Sequence, residues 1–353
     1  MCKILFVGGG SIGHIAPAVA VWREFLSAHP KAQAHFVCSE REEDGEFLRK
    51  EHLACTTLHA PRLSWDFPWK FLRAYGRATQ ILEREKPAIL FSKGGYVSVP
   101  VCLAAHRKRI PVILHESDVI SGNANRLAAR WAAAVCMGFP ERKMGGKHIY
   151  TGNPVRADIA SGNRTEGLRL TGFSGARPIL LVVGGSQGAQ ALNQAVIQLL
   201  PEIQTLADVI HITGRGKACA AAQEGYWARP FVKEELKHLY AMADMALSRA
   251  GAGSISELAA NGIPSIVVPL RGVGHDHQQR NAEYVAGKGG CILLQQSALQ
   301  EGLLPIVEKL AKDSGQRQDL SEKIRQMHRP DAAGRICRVL EEALSKKQNG
   351  STL

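Results

Sequence analysis

The stretch Pro178-Ile-Leu-Leu-Val-Val-Gly-Gly-Ser-Gln-Gly-Ala-Gln-Ala-Leu-Asn193 decides the fold. Its apolar run stops at paired glycines, the pattern of a strand buried on both faces. Residues 189–200 then put Leu192, Val196, Leu199 and Leu200 on one helical face. Strand, glycine turn and helix in this order aim free main-chain N–H groups, and the positive end of a helix dipole, at the turn. Gly184, Gly185 and Gly188 let a bulky anion approach the backbone, and Ser186 adds a hydroxyl donor. No Lys-Ser or Lys-Thr follows the glycines, so this is not an ATP-type P-loop. A nucleoside diphosphate suits it; a tight turn that binds nothing is the plainer alternative.

The same device opens the chain. Lys3–Val7 reads as a strand, Gly8-Gly-Gly-Ser-Ile-Gly13 as a glycine turn, and a helix follows from about Pro17 to Ala28. Gly8, Gly10 and Gly13 fit the dinucleotide fingerprint, and Glu40, near the end of the strand Ala34–Cys38, keeps a nicotinamide oxidoreductase open as an alternative. Strands at Ala88–Ser92 and Val112–His115 and a helix from Asn123 to Ala134 continue the βα pattern. Gly152-Asn-Pro-Val-Arg156 and the polar segment Ser161–Arg177 read as a boundary. The pattern restarts at Ile179, with strands at Val209–Thr213, Arg229–Val232, Ala246–Ser248 and Ile263–Pro269 and a helix at Lys237–Ala243. Helices Leu304–Lys312 and Leu320–Met327 follow, then one opened by Pro330, and the lysine-rich tail from Lys346 reads as structureless. The expected fold is α/β: two Rossmann-like parallel-sheet domains, 1–160 and 161–329, facing each other across a cleft. A chain of 353 residues is long enough for two cores.

With 45% apolar and 22% charged residues the composition is that of a globular protein, but the net charge of +12 favours an anionic partner. Nothing resembles a zinc finger or an arginine-rich arm, so nucleic acid ranks below a phosphorylated substrate or an anionic membrane surface. Cys2, Cys38, Cys55, Cys102, Cys136, Cys219, Cys291 and Cys337 are scattered, with no C-x-x-C pair, as in a reducing cytoplasm. No leader-like segment and no membrane-spanning run is seen, which makes any membrane contact peripheral.

Several segments can carry chemistry. Ser248-Arg-Ala-Gly-Ala-Gly-Ser-Ile-Ser-Glu257 resembles a second phosphate or ribose cradle, in which Glu257 bridges two vicinal hydroxyls. Ser254 and Glu257 also have the spacing of a capping box. In Gly274-His-Asp-His-Gln-Gln-Arg-Asn281, Gln278 and Asn281 read as sugar contacts; His275, Asp276 and His277 are packed too tightly for a convincing metal site. In the first half, His14, Lys93-Gly-Gly-Tyr96 and His115-Glu-Ser-Asp118 all sit at carboxyl ends of expected strands. His14 at a helix N-terminus favours neutral imidazole and is the candidate general base. Trp65, Phe67, Trp69 and Phe71, interleaved with Lys70, Arg73 and Arg77, suit a bilayer interface, or else a core face with a solvated back.

Taken in order and spacing, these motifs resemble the MurG family. These are the GT-B, family 28 transferases that convert lipid I to lipid II in peptidoglycan synthesis. The likeness runs from the His14 turn through Lys93–Tyr96, His115-Glu116, Gly152–Arg156, Gly184–Ala189, Ser256-Glu257 and Asp276–Gln278 to Arg329-Pro-Asp-Ala-Ala333. It implies an inverting transfer of GlcNAc from UDP-GlcNAc to the MurNAc 4-hydroxyl of lipid I, without metal or cofactor. The enzyme would be peripheral, on the cytoplasmic face of the cell membrane, with protein partners from cell-wall synthesis and division.

The resemblance also assigns residues. Ser186, Gln187, Gly188 and Arg156 would meet the diphosphate, Val232 uracil through its backbone, Glu257 the ribose, and Gln278 and Asn281 the GlcNAc. Gly251, Ala252, Gly253 and Ser254 would complete the donor site. Ser11, Ile12, Gly13, Asp118 and Asn125 would lie on the acceptor side, and the last helix would return to the first domain. The chain departs from the family at Ser11-Ile12, where Thr-Gly is usual, and at Ser117-Asp118, where Gln-Asn is common. A β-branched residue tolerates positive φ poorly, so Ile12 implies a turn that does not need it there. A different GT-B glycolipid transferase, and a binding-only relic of the fold, are the remaining alternatives.

Overall fold

The computed structural model describes residues 2–10, 12–60, 67–140, 145–185, 188–217, 223–272 and 276–348, with only the backbone of Ile12 and Gln348. The chain forms two compact units: residues 1–155 with 330–353, and residues 156–329. The division falls ahead of the expected 160/161.

In the first unit, β1 (Lys3–Val7), β2 (Gln33–Cys38), β3 (Cys55–Thr57), β4 (Ile89–Ser92), β5 (Val112–Glu116), β6 (Ala134–Met137) and β7 (His148–Tyr150) form a sheet of order β3-β2-β1-β4-β5-β6-β7. Every pairing is parallel. Its helices are α1 (Ile12–Ala28), α2 (Glu42–Lys50), α3 (Phe67–Glu85), α4 (Ser98–Arg107) and α5 (Asn123–Ala129). Alternating residues of β1 face opposite cores: Ile4 and Phe6 pack with α1, Leu5 and Val7 with α3 and α4.

The second unit holds α6 (Arg164–Thr171), β8 (Ile179–Val183), α7 (Gln190–Gln198), α8 (Leu200–Gln204), β9 (Asp208–Ile212), β10 (Tyr226–Arg229), α9 (Leu236–Met242), β11 (Met245–Arg249), α10 (Ala252–Asn261) and β12 (Ser265–Val268). It continues through α11 (His277–Gly287), β13 (Ile292–Leu293), α12 (Leu299–Lys312) and α13 (Ser314–Arg325). The sheet order is β10-β9-β8-β11-β12-β13, again parallel throughout. The last helix, α14 (Ala332–Gln348), packs Ile336, Val339 and Leu340 against Val19, Trp22 and Phe25 of the first unit. Lys346 and Lys347, expected in a structureless tail, form its last turn, and Lys347 Nζ donates to Ala88 O at 3.0 Å.

Other elements also differ from expectation. The helix foreseen over 123–134 stops at Ala129, and Ala134–Met137 pairs with β5 as β6. The alanine-rich composition there has helical propensity, but an open sheet edge prevailed. The strand expected at Arg229–Val232 is instead Tyr226–Arg229, which leaves Val232 in the following loop.

Each sheet reverses its strand order once next to its first strand, between β1 and β4 and between β8 and β11. Crevices for ligands lie beyond the carboxyl ends of strands at such reversals. The segments that follow these four strands carry His14, Lys93, Gly188 and Gly251.

Candidate functional site

The donor-side candidates gather on the second unit. Helices α7, from Gln190, and α10, from Ala252, are the next elements after β8 and β11, which are neighbours in the sheet. Neither N-cap, Ala189 or Gly251, supplies a side-chain cap. The first N–H groups of both helices therefore lack an intrahelical acceptor, and their own N-cap residues give them no side-chain acceptor, an arrangement that favours an anion. Gly188 has φ 67°, and a Cβ on it would lie 2.3 Å from Thr213 O, so only glycine lets the turn rest on the end of β9. Beneath the turn, Asn193 Nδ2 donates to Thr213 O at 2.9 Å, and its Oδ1 lies 3.0 Å from His211 Nε2. His211 Nδ1 is 2.9 Å from Tyr226 Oη. Burial pulls the His211 pKa down to about 4, which makes it a neutral tie between helix and sheet. Ser186 and Gln187 lie outside the described residues.

Glu257 does not cap α10. The N-cap is Gly251, which puts Ser254 and Glu257 inside the helix, so the capping-box alternative fails. Instead Glu257 Oε2 accepts from Tyr240 Oη at 2.9 Å. Burial raises the Glu257 pKa above the ordinary carboxylate value, against the opposing pull of the Tyr240 bond and the Arg156 charge. The Tyr240 hydroxyl is in turn held well above its usual value by burial and by Glu257. Glu257 thus has one oxygen oriented by tyrosine and part of its surface open.

Arg156 donates from Nη1 and Nη2 to Lys233 O, each at 3.4 Å, which brings it beside Val232. No described residue engages the main-chain polar groups of Val232, leaving them available to a base. Gln278 Oε1 accepts from Leu270 N at 3.1 Å, which fixes the amide and leaves its NH₂ as donor. Asn281, expected to touch the sugar, is 0% exposed and donates to Ala250 O at 3.1 Å. It braces the chain ahead of the Gly251 turn. Ala252 is buried, while Gly253 is exposed with open space where a Cβ would stand.

Sequence reasoning missed two residues here. Arg249, buried at the end of β11, donates from Nη2 to Gln296 Oε1 at 2.7 Å, and burial lowers its pKa. Tyr240 reads as an ordinary core position in its helix. His275 lies outside the described residues, and Asp276 Oδ1 accepts from Gly272 N at 2.7 Å. Among the described residues no cluster of three or more His, Cys, Asp or Glu could hold a metal ion.

On the first unit, α1 begins at Ile12, so Gly13 and His14 lie in its first turn and Pro17 is inside the helix. Positive φ falls on Gly10, at 93°, and not on Ile12, which removes the objection to a β-branched residue there. Ser11 lies outside the described residues. The protein itself occupies this glycine turn: Gly10 N donates to Asp44 Oδ2 at 2.8 Å, and Ser39 Oγ donates to the same oxygen at 2.5 Å. Glu40 is engaged by His59 Nδ1 at 2.6 Å. That pair is exposed and weak; the stronger point against the oxidoreductase alternative is that Asp44 already takes the Gly10 N–H a dinucleotide phosphate would need.

His14 Nδ1 is buried with no hydrogen-bond partner among the described residues. Burial first, then the Lys93 charge, lowers the His14 pKa, while Asp118 and Asp44 oppose the shift. Lys93 is 1% exposed and its ammonium donates to Ser117 Oγ. Burial lowers its pKa to about 8 against the pull of Glu116 and Asp118. His115 and Glu116 are buried scaffold. His115 Nε2 lies 3.1 Å from Gly152 O, and burial with the Lys93 charge holds the ring neutral. Glu116 accepts from Asp118 N at 3.0 Å, Gly122 N at 3.3 Å and Asn125 Nδ2 at 2.7 Å, shaping the loop that presents Asp118. Asn125 Oδ1 has no described partner.

The comparisons with known proteins divide the chain as the sheets do. Residues 4–137 match the glycosyltransferase family 28 N-terminal domain and residues 179–336 the family 28 C-terminal domain. A UDP-N-acetylglucosamine--N-acetylmuramyl-(pentapeptide) pyrophosphoryl-undecaprenol N-acetylglucosamine transferase of Lachnoclostridium phytofermentans is 35% identical over 98% of this chain and 100% of its own. The chain belongs to glycosyltransferase family 28. A transferase of the same description from Clostridium kluyveri is 33% identical, covering 97% of this chain and 99% of its own. Among solved structures, Acinetobacter baumannii MurG matches with TM-score 0.74 at 24% identity, over 97% of this chain and 100% of that one. A UDP-N-acetylglucosamine 2-epimerase from Listeria monocytogenes matches with TM-score 0.71 at 14% identity, over 96% and 95%. A shared two-sheet fold thus hosts different chemistries, and activity must be argued from sites.

The expected aromatic interface is partly on view. Trp65 lies outside the described residues. Phe67 and Phe71 stack with ring centroids 5.6 Å apart. Trp69 is 73% exposed and Leu72, which sequence reading passed over, 58%. The buried residues of α3 are Ala74, Ala78, Ile81 and Leu82, so Trp69 does not belong to the core. No described helix is long and apolar enough to cross a membrane.

Proposed function

We propose that this family 28 member transfers GlcNAc from UDP-GlcNAc to the MurNAc 4-hydroxyl of undecaprenyl-diphosphate-linked MurNAc-pentapeptide. The observation that carries the reading is the pair of helices, α7 and α10, whose N-cap residues give no side-chain cap, with the carboxylate of Glu257 on the second of them, in a chain 35% identical to a transferase of that description. Such a site takes a diphosphate on main-chain N–H groups and two ribose hydroxyls on a carboxylate.

The second unit is the donor half. Gly188, Gly251, Ala252, Gly253 and Ser254 surround the diphosphate with Ser186, Gln187 and Arg156; Val232 meets uracil, Glu257 ribose and Gln278 GlcNAc. In the first unit His14 takes the proton from the acceptor hydroxyl as that oxygen bonds to the anomeric carbon. The bond from that carbon to the UDP oxygen breaks with inversion, and its electron pair leaves on UDP, held by helix N-termini. His14 then releases its proton to solvent. Gly13, Asp118 and Asn125 line the acceptor side with Ser11 and Ile12. Purified protein given labelled UDP-GlcNAc makes a lipid-linked disaccharide from a lipid I analogue and none from diacylglycerol; the opposite preference would establish the glycolipid transferase instead.

The first unit also meets the membrane, peripherally, on the cytoplasmic face. It carries 25 of the 44 Lys and Arg but 16 of the 32 Asp and Glu, hence +9 of the net +12. Trp69 and Leu72 on α3, flanked by Lys70, Arg73 and Arg77, supply apolar groups among cations. Trp69→Ser with Leu72→Ser therefore lowers partitioning onto anionic phospholipid vesicles by about 10-fold or more, given the ~1.5–3 kcal/mol that burying one such side chain contributes. Unaltered partitioning with unchanged transfer to a short-chain acceptor would remove α3 from the interface. Protein partners from wall synthesis and division are part of the same reading.

A further inference from the structure

We propose that Lys93 is a positioning residue for the transfer step: its buried ammonium, anchored on Ser117, holds His14 in the neutral form that can accept a proton. The proposal rests on His14 being the base and adds what keeps it one.

The geometry begins with the strand order. β1 and β4 are neighbours at the reversal of the first sheet, and Lys93 N donates to Val7 O at 2.8 Å, so the residues after both strands emerge together. Gly8 is the spacer between them. A Cβ on it would lie 2.8 Å from His14 O and 3.2 Å from Lys93 Cβ. Any larger residue would force the start of α1 away from the lysine stem. Lys93 is 1% exposed and its direct partner Ser117 is neutral; the charges of Glu116 and Asp118 offset part of the cost of enclosing its ammonium.

The charged groups acting on His14 come from three elements besides its own. The Lys93 charge, from the end of β4, lowers its proton affinity; Asp118, from the loop after β5, the Lys93 main chain through a hydrogen bond that any substitution there keeps, and Asp44, from α2, raise it. His115 is neutral, and Glu116 spends its oxygens on three donors. Both substrates of the proposed reaction carry a diphosphate, and negative charge drawn toward His14 would push the ring to imidazolium. A buried cation is poorly screened by solvent and opposes that drift.

The test follows the His14 ring signal by NMR in the full-length protein, assigned by its loss in His14→Gln. Lys93→Met moves the His14 midpoint up by about one pH unit, Lys93→Arg leaves it within about 0.3, and Asp118→Asn moves it down. The acid limb of kcat/KM moves with it, so the Lys93→Met defect is relieved at high pH, which a purely structural defect would not be. If Lys93→Met does not fold, Lys93→Gln offers a polar neutral side chain, with the same upward shift expected. An unmoved midpoint in the folded neutral variant overturns the proposal. A moved midpoint with an unmoved acid limb overturns His14 as base, and the purpose assigned to Lys93 with it.

Discussion

Replacing His14 by alanine lowers kcat for GlcNAc transfer by about 10²–10⁴-fold, the usual contribution of a general base, and leaves UDP-GlcNAc affinity unchanged. The separation is expected because His14 belongs to the first unit and the donor groups to the second. His14 Nδ1 has no described hydrogen-bond partner to lose. The pH dependence carries a sign. Neutral imidazole is the active form, so activity falls as pH drops through the His14 pKa. Burial and Lys93 lower that pKa, and the acid limb of kcat/KM therefore lies below the 6.5 of a free histidine. A His14→Ala enzyme with near-normal kcat would remove histidine from the proton transfer and leave the donor site untouched.

Glu257→Ala weakens UDP-GlcNAc binding on the order of 10²-fold, as expected when a carboxylate gives up hydrogen bonds to two hydroxyls. The same substitution leaves the buried Tyr240 hydroxyl without its acceptor and costs about 1–3 kcal/mol of stability. Two companions separate these effects. Glu257→Gln keeps an acceptor for Tyr240 and removes the charge; Tyr240→Phe removes the bond and keeps the carboxylate. Titration calorimetry should find weak donor binding in the first and near-normal binding in the second. Because burial raises the Glu257 pKa, donor affinity also starts to fall at a higher pH than for an exposed carboxylate as the solution is acidified. Full affinity in Glu257→Ala would make the residue a prop for Tyr240 and nothing more.

The fold was legible where one period ruled. Continuous apolar runs such as Ile179–Val183 and Lys3–Val7, each followed by glycines, read as buried parallel strands, and they pair so; the strand order itself comes from the structure. Short edge strands were not legible. Cys55–Thr57, His148–Tyr150 and Ile292–Leu293 are two or three residues long, and pairing alone makes them strands.

At the site, glycine turns showed where anions can approach, and Glu257 stood out because a carboxylate beside a phosphate cradle calls for a reason. What the sequence hid was burial. Lys93 reads as part of a loop at a strand's carboxyl end, Tyr240 as a core aromatic, and Asn281 as a sugar contact. Only packing reveals that the lysine is enclosed, that the tyrosine aims the carboxylate, and that the asparagine braces a turn. The aromatic stretch erred in the other direction. Spacing alone left the core reading open beside the interface, and the exposure of Trp69 and Leu72 takes those two side chains out of the core.

The proposed reaction joins GlcNAc to lipid-linked MurNAc, with UDP held by main-chain donors and Glu257. It is tested by transfer of labelled GlcNAc from UDP-GlcNAc to a lipid I analogue by the purified protein in EDTA, with the product's linkage determined by NMR. The expected product carries a β-linked GlcNAc on the MurNAc 4-oxygen, with one UDP released per linkage. UDP-GlcNAc bound tightly with no disaccharide formed, with or without added divalent cation, would contradict it and leave a nucleotide-sugar-binding relic of the fold.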